Sequence, residues 1–200
     1  GELTNPIVLT TYQTSNNIVR LYDDLKLTIL GSSRKHVVKT TYNEKLSHLT
    51  EVTDLQENLI NRVSVMMYYE DFGLSSAITG YENAVYYSYD VSGNVKTLWR
   101  HINDVGMSVV KRVDYNYDLI SGNVKQVRYQ VGKEDMLIHR YMYDADNRIN
   151  LVQVSRDDLI FHKAAAYQYY LHGPLSRTSL DKNAVQGIDY AYTLQGWIKQ

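Results

Sequence analysis

The sequence predicts an all-β protein made of stacked antiparallel β-hairpins that form one curved, open sheet. Three observations support this fold class: the aromatic composition, a repeated Tyr-x-Tyr motif, and the turn residues that follow each motif. Of the 200 residues, 19 are tyrosine, against two phenylalanines and two tryptophans. Tyrosine favours strands and packs well against neighbours across a sheet. The composition therefore points to β structure before any element is assigned.

A Tyr-x-Tyr motif recurs along the chain, which makes the sequence a repeat. The copies read VYYSYDVSGNV, VDYNYDLISGNV, HRYMYDADNRI, AYQYYLHGPL and IDYAYTLQGWI. Their second tyrosines are separated by steps of 28, 26, 26 and 23 residues. Self-similarity at such a period is typical of repeat architectures. An earlier, less regular copy, MYYEDFGL, contains Tyr69 and Gly73.

Each motif predicts an outgoing strand with one aromatic face. Residues two apart in a strand share a face, so the first and second tyrosines of a copy point the same way. Tyr87 and Tyr89 are expected to face the core, with Tyr86 and Ser88 on the opposite face. The other pairs in the same phase are Tyr115 and Tyr117, Tyr141 and Tyr143, Tyr167 and Tyr169, and Tyr190 and Tyr192.

The residues after each tyrosine pair predict a tight turn. An Asp at the first position accepts hydrogen bonds from the backbone further on, and Gly at the fourth position tolerates positive φ. Asp90 with Gly93 fits this pattern, and after Asp144 the Gly is replaced by Asn147, which tolerates the same conformation. The remaining turn residues of this kind are Asp118, Gly122, Gly173 and Gly196. Return strands starting at Val95, Val124, Ile149 and Leu175 complete the hairpins.

Stacking of the hairpins is expected to bury the tyrosines, because a lone hairpin is only marginally stable. Buried phenols need hydrogen-bond partners. The Asp side chains and backbone carbonyls of neighbouring turns are the candidate acceptors. Trp197 is expected to pack at the aliphatic position that follows its turn.

The Tyr-x-Tyr-Asp turns at this spacing resemble the YD repeats of RHS (rearrangement hot spot) proteins, which are related to teneurin repeats. The stretch VTDLQEN, residues 52–58, resembles a second element of the family, with Glu57 in place of the family glycine. HRYMYDADNRI and AYTLQGWIK resemble the RHS proteins of Bacteroidetes in particular. The resemblance covers residues 51–200 as one continuous repeat array, and residues 1–50 are expected to form degenerate N-terminal β repeats.

The resemblance implies a structural, non-enzymatic function. In the family, such repeats wind into a β-shell that encloses a C-terminal toxin or other effector domain. This chain would then be an arc of the wall, cut from a longer secreted or cell-surface protein. Its partners would be the remaining repeats and the toxin or effector domain of the parent chain. The Asp-Pro-x-Gly motif of the family's self-cleaving core is absent, since the two prolines follow Asn5 and Gly173.

The sequence contains no recognisable catalytic or metal-binding motif. Its six histidines do not form the His-Glu-x-x-His spacing of zinc enzymes, and neither a nucleophile elbow nor a Gly-rich phosphate loop is present. The adjacent acids Asp157 and Asp158 would face opposite sides of a strand or lie in a solvated loop, unlike the paired carboxylates of glycosidases. We therefore predict no enzyme activity, no cofactor and no metal site.

Charge and hydropathy argue against nucleic-acid binding and against a membrane-spanning segment. A net charge of −1 lacks the basic footprint that nucleic-acid binding favours, and no apolar run reaches the ~20 residues of a membrane span. The alternative function is a secreted or cell-surface module that binds carbohydrate or another adhesion ligand on its Tyr-rich sheet. Open sheet edges also predict edge-to-edge self-association.

Overall fold

The computed structural model describes residues 8–10, 34–46, 49, 52, 54–72, 80–104, 107–183 and 185–199. Within these residues the chain is all-β, as predicted, and its twelve strands are hydrogen-bonded in sequence order. The strands are β1 (Val8–Thr10), β2 (Arg34–Tyr42), β3 (Val63–Phe72), β4 (Asn83–Tyr89), β5 (Val95–Asp104), β6 (Met107–Tyr117), β7 (Val124–Tyr129), β8 (Leu137–Tyr143), β9 (Ile149–Ser155), β10 (His162–Tyr169), β11 (Leu175–Leu180) and β12 (Gln186–Asp189).

Antiparallel pairing joins consecutive strands in both halves of the chain, for example β4 with β5 and β8 with β9. The pairing of β1 with β2 is parallel, with Val8 opposite Val38. The uniform antiparallel arrangement predicted from the hairpins therefore does not hold at this first pair. The predicted boundary between degenerate repeats (residues 1–50) and the continuous repeat array (residues 51–200) stays a prediction.

The chain forms two compact units, residues 1–112 (the first unit) and residues 113–200 (the second unit). In the first unit, one face of β3, β4 and β5 forms a buried core. Val65, Met67, Tyr86 and Trp99 are each at most 3 % exposed and belong to one apolar cluster. Strand register explains the contact, because Tyr86 lies opposite Val65 on one side and Trp99 on the other.

The orientation predicted for β4 is wrong in one respect. Tyr87 and Tyr89 do share a face, and Tyr89 is buried, but the main core lies on the opposite face, with Tyr86 fully buried and Tyr87 partly exposed. Ser88, also expected to point away from the core, is buried as well. The repeat pattern identifies which residues share a face. It does not identify which face is covered.

The segment between β2 and β3 covers this face and accounts for the difference. The Gln56 side chain is buried, and its Nε2 donates to the carbonyl oxygens of Ser64 and Tyr87, both at 2.9 Å. The backbone N–H of Glu57 donates to Ser88 Oγ at 3.0 Å. Val52 in the same segment packs into the core cluster. These contacts join the segment to β3 and β4 and remove their face from water.

The second unit buries fewer side chains. Among its described residues, the buried apolar side chains are Ile138 and Ala165, and the buried polar ones are Gln130, Ser155 and Thr178. Its Tyr-x-Tyr tyrosines are partly exposed rather than fully buried. Tyrosine therefore supplies a half-covered face in this unit and not a closed core.

Candidate functional site

The candidate functional site is the repeated hairpin turn together with the tyrosine pair that precedes it. Five turns share one backbone pattern. The N–H of the first turn residue donates to a carbonyl beyond the turn at 2.7–2.9 Å, and its carbonyl accepts from the residue with positive φ at 2.9–3.2 Å. The first residues are Asp90, Asp118, Asp144, Tyr170 and Thr193. The hairpin turns thus have the geometry that the sequence predicts.

The fourth or fifth residue of each turn adopts the left-handed conformation. The φ values are 96° at Gly93, 74° at Gly122, 60° at Asn147, 114° at Gly173 and 83° at Gly196. L-residues other than Asn and Asp rarely adopt this conformation. The position therefore accepts Gly or Asn, which explains the composition of the motif. Gly73 of the earlier copy lies outside the described residues.

The turn carboxylates are engaged by their own turns. Asp144 Oδ1 accepts from the N–H groups of Asp146 and Arg148, both at 2.9 Å. Asp118 Oδ2 accepts from the N–H and hydroxyl of Ser121, and its Oδ1 lies 2.6 Å from Lys125 Nζ. Hydrogen bonding to Lys125 and Ser121 lowers the pKa of Asp118, and the Arg148 backbone N–H lowers that of Asp144. Both carboxylates act as turn caps.

The second tyrosine of a repeat is hydrogen-bonded to the preceding hairpin. Its hydroxyl donates to the carbonyl of the first residue of the previous return strand. The three bonds run from Tyr89 to Val63 (2.9 Å), from Tyr143 to Val124 (2.9 Å) and from Tyr169 to Ile149 (2.7 Å). Backbone carbonyls are therefore the acceptors of these three phenols, at the first strand residue beside a turn, whereas the turn Asp side chains, which were also expected to accept, do not receive these bonds. Burial raises the pKa of each of the three hydroxyls.

A β-bulge accompanies the second tyrosine. The register shifts immediately before Tyr89, Tyr117, Tyr143 and Tyr169 in four successive hairpins. A bulge bends the strand and re-aims a side chain. The stacked rings of Tyr87 and Tyr89, and of Tyr115 and Tyr117, remain on one face with centroids 6.4 Å apart.

An arginine before the return strand makes a second connection between repeats, which sequence analysis missed. The Arg148 guanidinium binds Asp144 of its own turn (2.7 Å), lies 4.5 Å from the centre of the Tyr169 ring, and donates to the Gly173 carbonyl (3.3 Å). Arg62 lies 5.4 Å from the centre of the Tyr89 ring. The signal in the sequence is an Arg directly before an aliphatic residue, as in Arg62-Val63 and Arg148-Ile149.

In the second unit, the first tyrosine of each Tyr-x-Tyr motif differs from the second in its hydrogen bonding. Tyr115, Tyr141 and Tyr167 are partly exposed, and within the described part of the chain their hydroxyls have no hydrogen-bond partner. Burial raises the pKa of Tyr141, as do the adjacent phenols of Tyr115 and Tyr167. These three phenols form a row across the sheet. None of the three hydroxyls joins one hairpin to the next by a hydrogen bond.

The remaining predicted residues occupy less regular environments. Tyr69 is 4 % exposed, and its ring packs edge-on against Tyr81. Tyr192 forms an isolated bridge with Ile198, and the Tyr190 carbonyl accepts from the Tyr170 hydroxyl at 2.8 Å. Trp197 is 74 % exposed, so the expectation that it packs after its turn is wrong. The functional roles of the predicted site residues stay predictions.

A series of hydrogen-bonded polar side chains in the first unit, buried except at Ser108, was not predicted. Tyr86 Oη lies 3.0 Å from Tyr81 Oη, Tyr81 Oη lies 2.7 Å from His101 Nδ1, and His101 Nε2 lies 2.7 Å from Ser108 Oγ. Burial lowers the pKa of His101 and raises the pKa values of both tyrosines. These hydrogen bonds pair polar groups that would otherwise be buried without a partner. Residues from β4, β5 and β6 contribute, so no local motif could have revealed it.

Within the described residues, no cluster of three or more His, Cys, Asp or Glu side chains is placed to hold a metal ion. A search of the same residues finds no helix with the length and hydropathy needed to cross a membrane. Neither a scan against protein-family models nor a search of curated proteins gives a match to the chain. The resemblance to YD repeats therefore rests on the motifs themselves.

Proposed function

We propose that this chain is a non-enzymatic structural segment of an RHS-repeat shell. In this proposal the shell encloses a toxin or effector domain that lies elsewhere in a secreted or cell-surface parent chain. One observation carries the proposal: the second tyrosine of a hairpin is hydrogen-bonded to the backbone of the hairpin before it. Such bonds join repeats laterally, which is what a wall requires. Other repeats of the parent chain would continue the wall at its edges.

The turn chemistry supports a structural use of the motif. The carboxylates of Asp118 and Asp144 are occupied by backbone and side-chain donors of their own turns. A carboxylate so engaged stabilises the turn, and its lowered pKa makes it a poor proton donor near neutral pH. The most regular polar groups of the repeat are therefore suited to holding the hairpins in place.

Limited proteolysis of the full-length parent chain tests the enclosure. A double variant, Tyr143→Phe with Tyr169→Phe, removes two hydroxyls that join hairpins. We expect the enclosed domain to be cleaved sooner in this variant than in the unsubstituted protein. The matched control, Tyr141→Phe with Tyr167→Phe, removes two hydroxyls without partners and should leave the cleavage rate unchanged. If no part of the unsubstituted parent chain is protected from protease, the proposal is wrong.

A carbohydrate-binding or adhesion module is the second candidate, and the row of first tyrosines favours it. Tyr115, Tyr141 and Tyr167 come from β6, β8 and β10, and alternate strands of a sheet lie about 9–10 Å apart. Partly exposed rings with free hydroxyls can stack on sugars and hydrogen-bond to them.

Glycan binding by this chain distinguishes the two candidates. Sub-millimolar binding that is lost in Tyr141→Ala and kept in Met142→Ala would support the module, because Met142 lies on the opposite face of the same strand. If no glycan binds across a broad panel, the carbohydrate function is excluded and the shell remains. Edge-to-edge self-association is a separate proposal, which sizing at increasing protein concentration would test.

A further inference from the structure

Four hairpin turns of the second unit lie side by side at one end of its strands. They are residues 118–123, 144–148, 170–174 and 193–197. Three contacts link neighbouring turns. Asn123 Nδ2 donates to Asn147 Oδ1 (3.0 Å), and Arg148 Nη1 donates to the Gly173 carbonyl (3.3 Å). Tyr170 packs edge-on against Tyr192, the residue before the fourth turn, with ring centres 6.3 Å apart. The tips of these turns therefore form one line.

Large apolar side chains occupy this line and are almost completely exposed. We call the set Leu119, Ile120, Leu171, Leu194 and Trp197 the tip row. The exposed fractions are 101 %, 97 %, 110 %, 105 % and 74 %. The same turn position in the first unit, considered separately, holds Val91 at 92 % exposure. The first, third and fourth turns supply the tip row, since residues 144–148 of the second turn include no large apolar side chain. Side chains this exposed bury almost no apolar surface within the fold.

The shape of the tip row argues against a folded protein as its partner. Exposed apolar patches mark interaction surfaces. A stable protein interface uses about 20–30 residues a side and needs a complementary shape. The tip row has five apolar side chains, separated by polar turn residues, so it offers a line of points instead of a patch. A lipid surface needs no complementary shape, because each apolar side chain enters it independently.

The polar groups of the turns are compatible with a lipid surface. Their backbones are closed by internal hydrogen bonds, which lowers the cost of leaving water. Each of their three carboxylates has a basic partner: Asp118 pairs with Lys125 (2.6 Å), and Asp144 and Asp146 pair with Arg148 (2.7 and 2.8 Å). The turns therefore bring paired charges to a surface, which suits a zwitterionic lipid.

The aromatic residues of the line also fit a lipid interface. Trp197 belongs to the tip row, and Tyr170 at the start of the third turn is 38 % exposed. Tyr and Trp combine an apolar ring with one polar group and are enriched where membranes meet water. We propose that the tip row inserts into the interfacial region of a zwitterionic lipid bilayer and holds the turn end of the second unit against it.

Tryptophan fluorescence with phosphatidylcholine vesicles tests the proposal directly. Trp197 is 74 % exposed, whereas Trp99 is 3 % exposed, so a spectral change on vesicle binding reports Trp197. We expect a blue shift on addition of vesicles and quenching of Trp197 by phosphatidylcholine brominated on its acyl chains. Both signals should vanish in Trp197→Phe. If the spectrum of the unsubstituted protein does not change and brominated lipid does not quench it, the proposal is wrong.

Vesicle flotation with two sets of serine substitutions tests the position of the contact. Replacing Leu119, Ile120, Leu171 and Leu194 by Ser should lower vesicle affinity by at least about tenfold, given the apolar area withdrawn from lipid. The control replaces Leu159, Ile160 and Val185 by Ser. These three residues are exposed in connections at the opposite end of the strands. The control should bind like the unsubstituted chain. Equal losses in the two sets would overturn the proposal.

Sizing without lipid distinguishes a second copy of the chain from a lipid surface. If the tip-row substitutions turn a dimer into a monomer and the unsubstituted chain does not float with vesicles, the row is a contact between copies and the lipid proposal is wrong. Unchanged circular dichroism in both substituted sets would show that the exposed side chains are not needed for folding. The loss of vesicle affinity would then be due to the missing apolar side chains and not to unfolding.

Discussion

The two units contain the same hairpins and turns but differ in what stabilises them. In the first unit, the segment before β3 covers a sheet face and produces a core with Tyr86, Met67 and Trp99 at its centre. In the second unit, the tyrosine pairs stay partly exposed, and side chains that reach from one hairpin to the next recur. The repeat specifies the hairpin, whereas the covering segment decides which face becomes the core.

The two units also differ in which interactions contribute most to their stability. Apolar burial is the larger stabilising contribution per residue in the first unit, because its central side chains are fully removed from water. A half-exposed tyrosine gains less from burial, so the hydrogen bonds and arginine contacts between hairpins carry more of the stability of the second unit. The two units should therefore respond differently to the same kind of substitution.

The largest expected effect is a cavity in the first unit. Tyr86→Ala should lower the free energy of unfolding of this unit by about 3–5 kcal/mol, because a fully buried aromatic side chain leaves a void in the core. Tyr115→Ala in the second unit should cost less than half as much, since its ring is partly exposed. Denaturant titration followed by Trp99 fluorescence measures the first variant, and hydrogen exchange of each unit compares both. Equal losses would remove the distinction between the units.

A smaller effect is expected at the turns. Gly173 has φ of 114°, and a Cβ there would meet no atom within 4 Å. Gly173→Ala should therefore cost about 1–2 kcal/mol through backbone conformation alone. Gly80 also has open space around it and lacks a positive φ, so Gly80→Ala serves as the control. A melting temperature for Gly173→Ala equal to that of the control would contradict the turn argument.

The smallest effect is a difference in acid sensitivity between the units. The pKa of His101 is lowered by burial, so unfolded chains bind more protons there, and the first unit loses this stability as pH falls below about 6.5. The pKa values of Asp118 and Asp144 are also lowered, but from a carboxyl reference, so their contribution is lost only as pH falls below about 4. As the pH is lowered, the first unit should therefore begin to lose stability at a higher pH than the second unit.

Hydrogen exchange of each unit between pH 7 and pH 4 measures this difference. In His101→Gln the loss of protection in the first unit between pH 6.5 and pH 5 should disappear, whatever the variant's stability at neutral pH. The second unit should keep the same profile in the variant and in the unsubstituted chain. A pH profile of the first unit that is unaffected by the substitution would show that His101 is not responsible.

Much of the local structure could be predicted because it depends on neighbours in sequence. Alternation in a strand places Tyr87 and Tyr89 on one face, and the left-handed conformation at Gly93 and Asn147 follows from the residue types that tolerate it. The carbonyl acceptors of the second tyrosines were also among the predicted partners. These features need only one repeat and its neighbour.

Other features depend on residues far apart in sequence and could not be predicted. The burial of Tyr86 depends on the segment containing Gln56, thirty residues earlier. His101 on β5 contacts Tyr81, twenty residues earlier and just before β4, and Ser108 on β6, so these contacts depend on how three segments pack together. Arg148 reaches the following turn through a long side chain whose direction no periodicity reveals. Packing between elements, and not local preference, determines each of these.

The central claim is that the second tyrosines join consecutive hairpins through their hydroxyl groups. The free energies of unfolding of two double variants test it: Tyr143→Phe with Tyr169→Phe, and Tyr141→Phe with Tyr167→Phe. At about 0.5–1.5 kcal/mol per lost hydrogen bond, the first pair should lower the stability of the second unit by about 1–3 kcal/mol. The second pair should leave it unchanged. Equal values for the two double variants would contradict the claim.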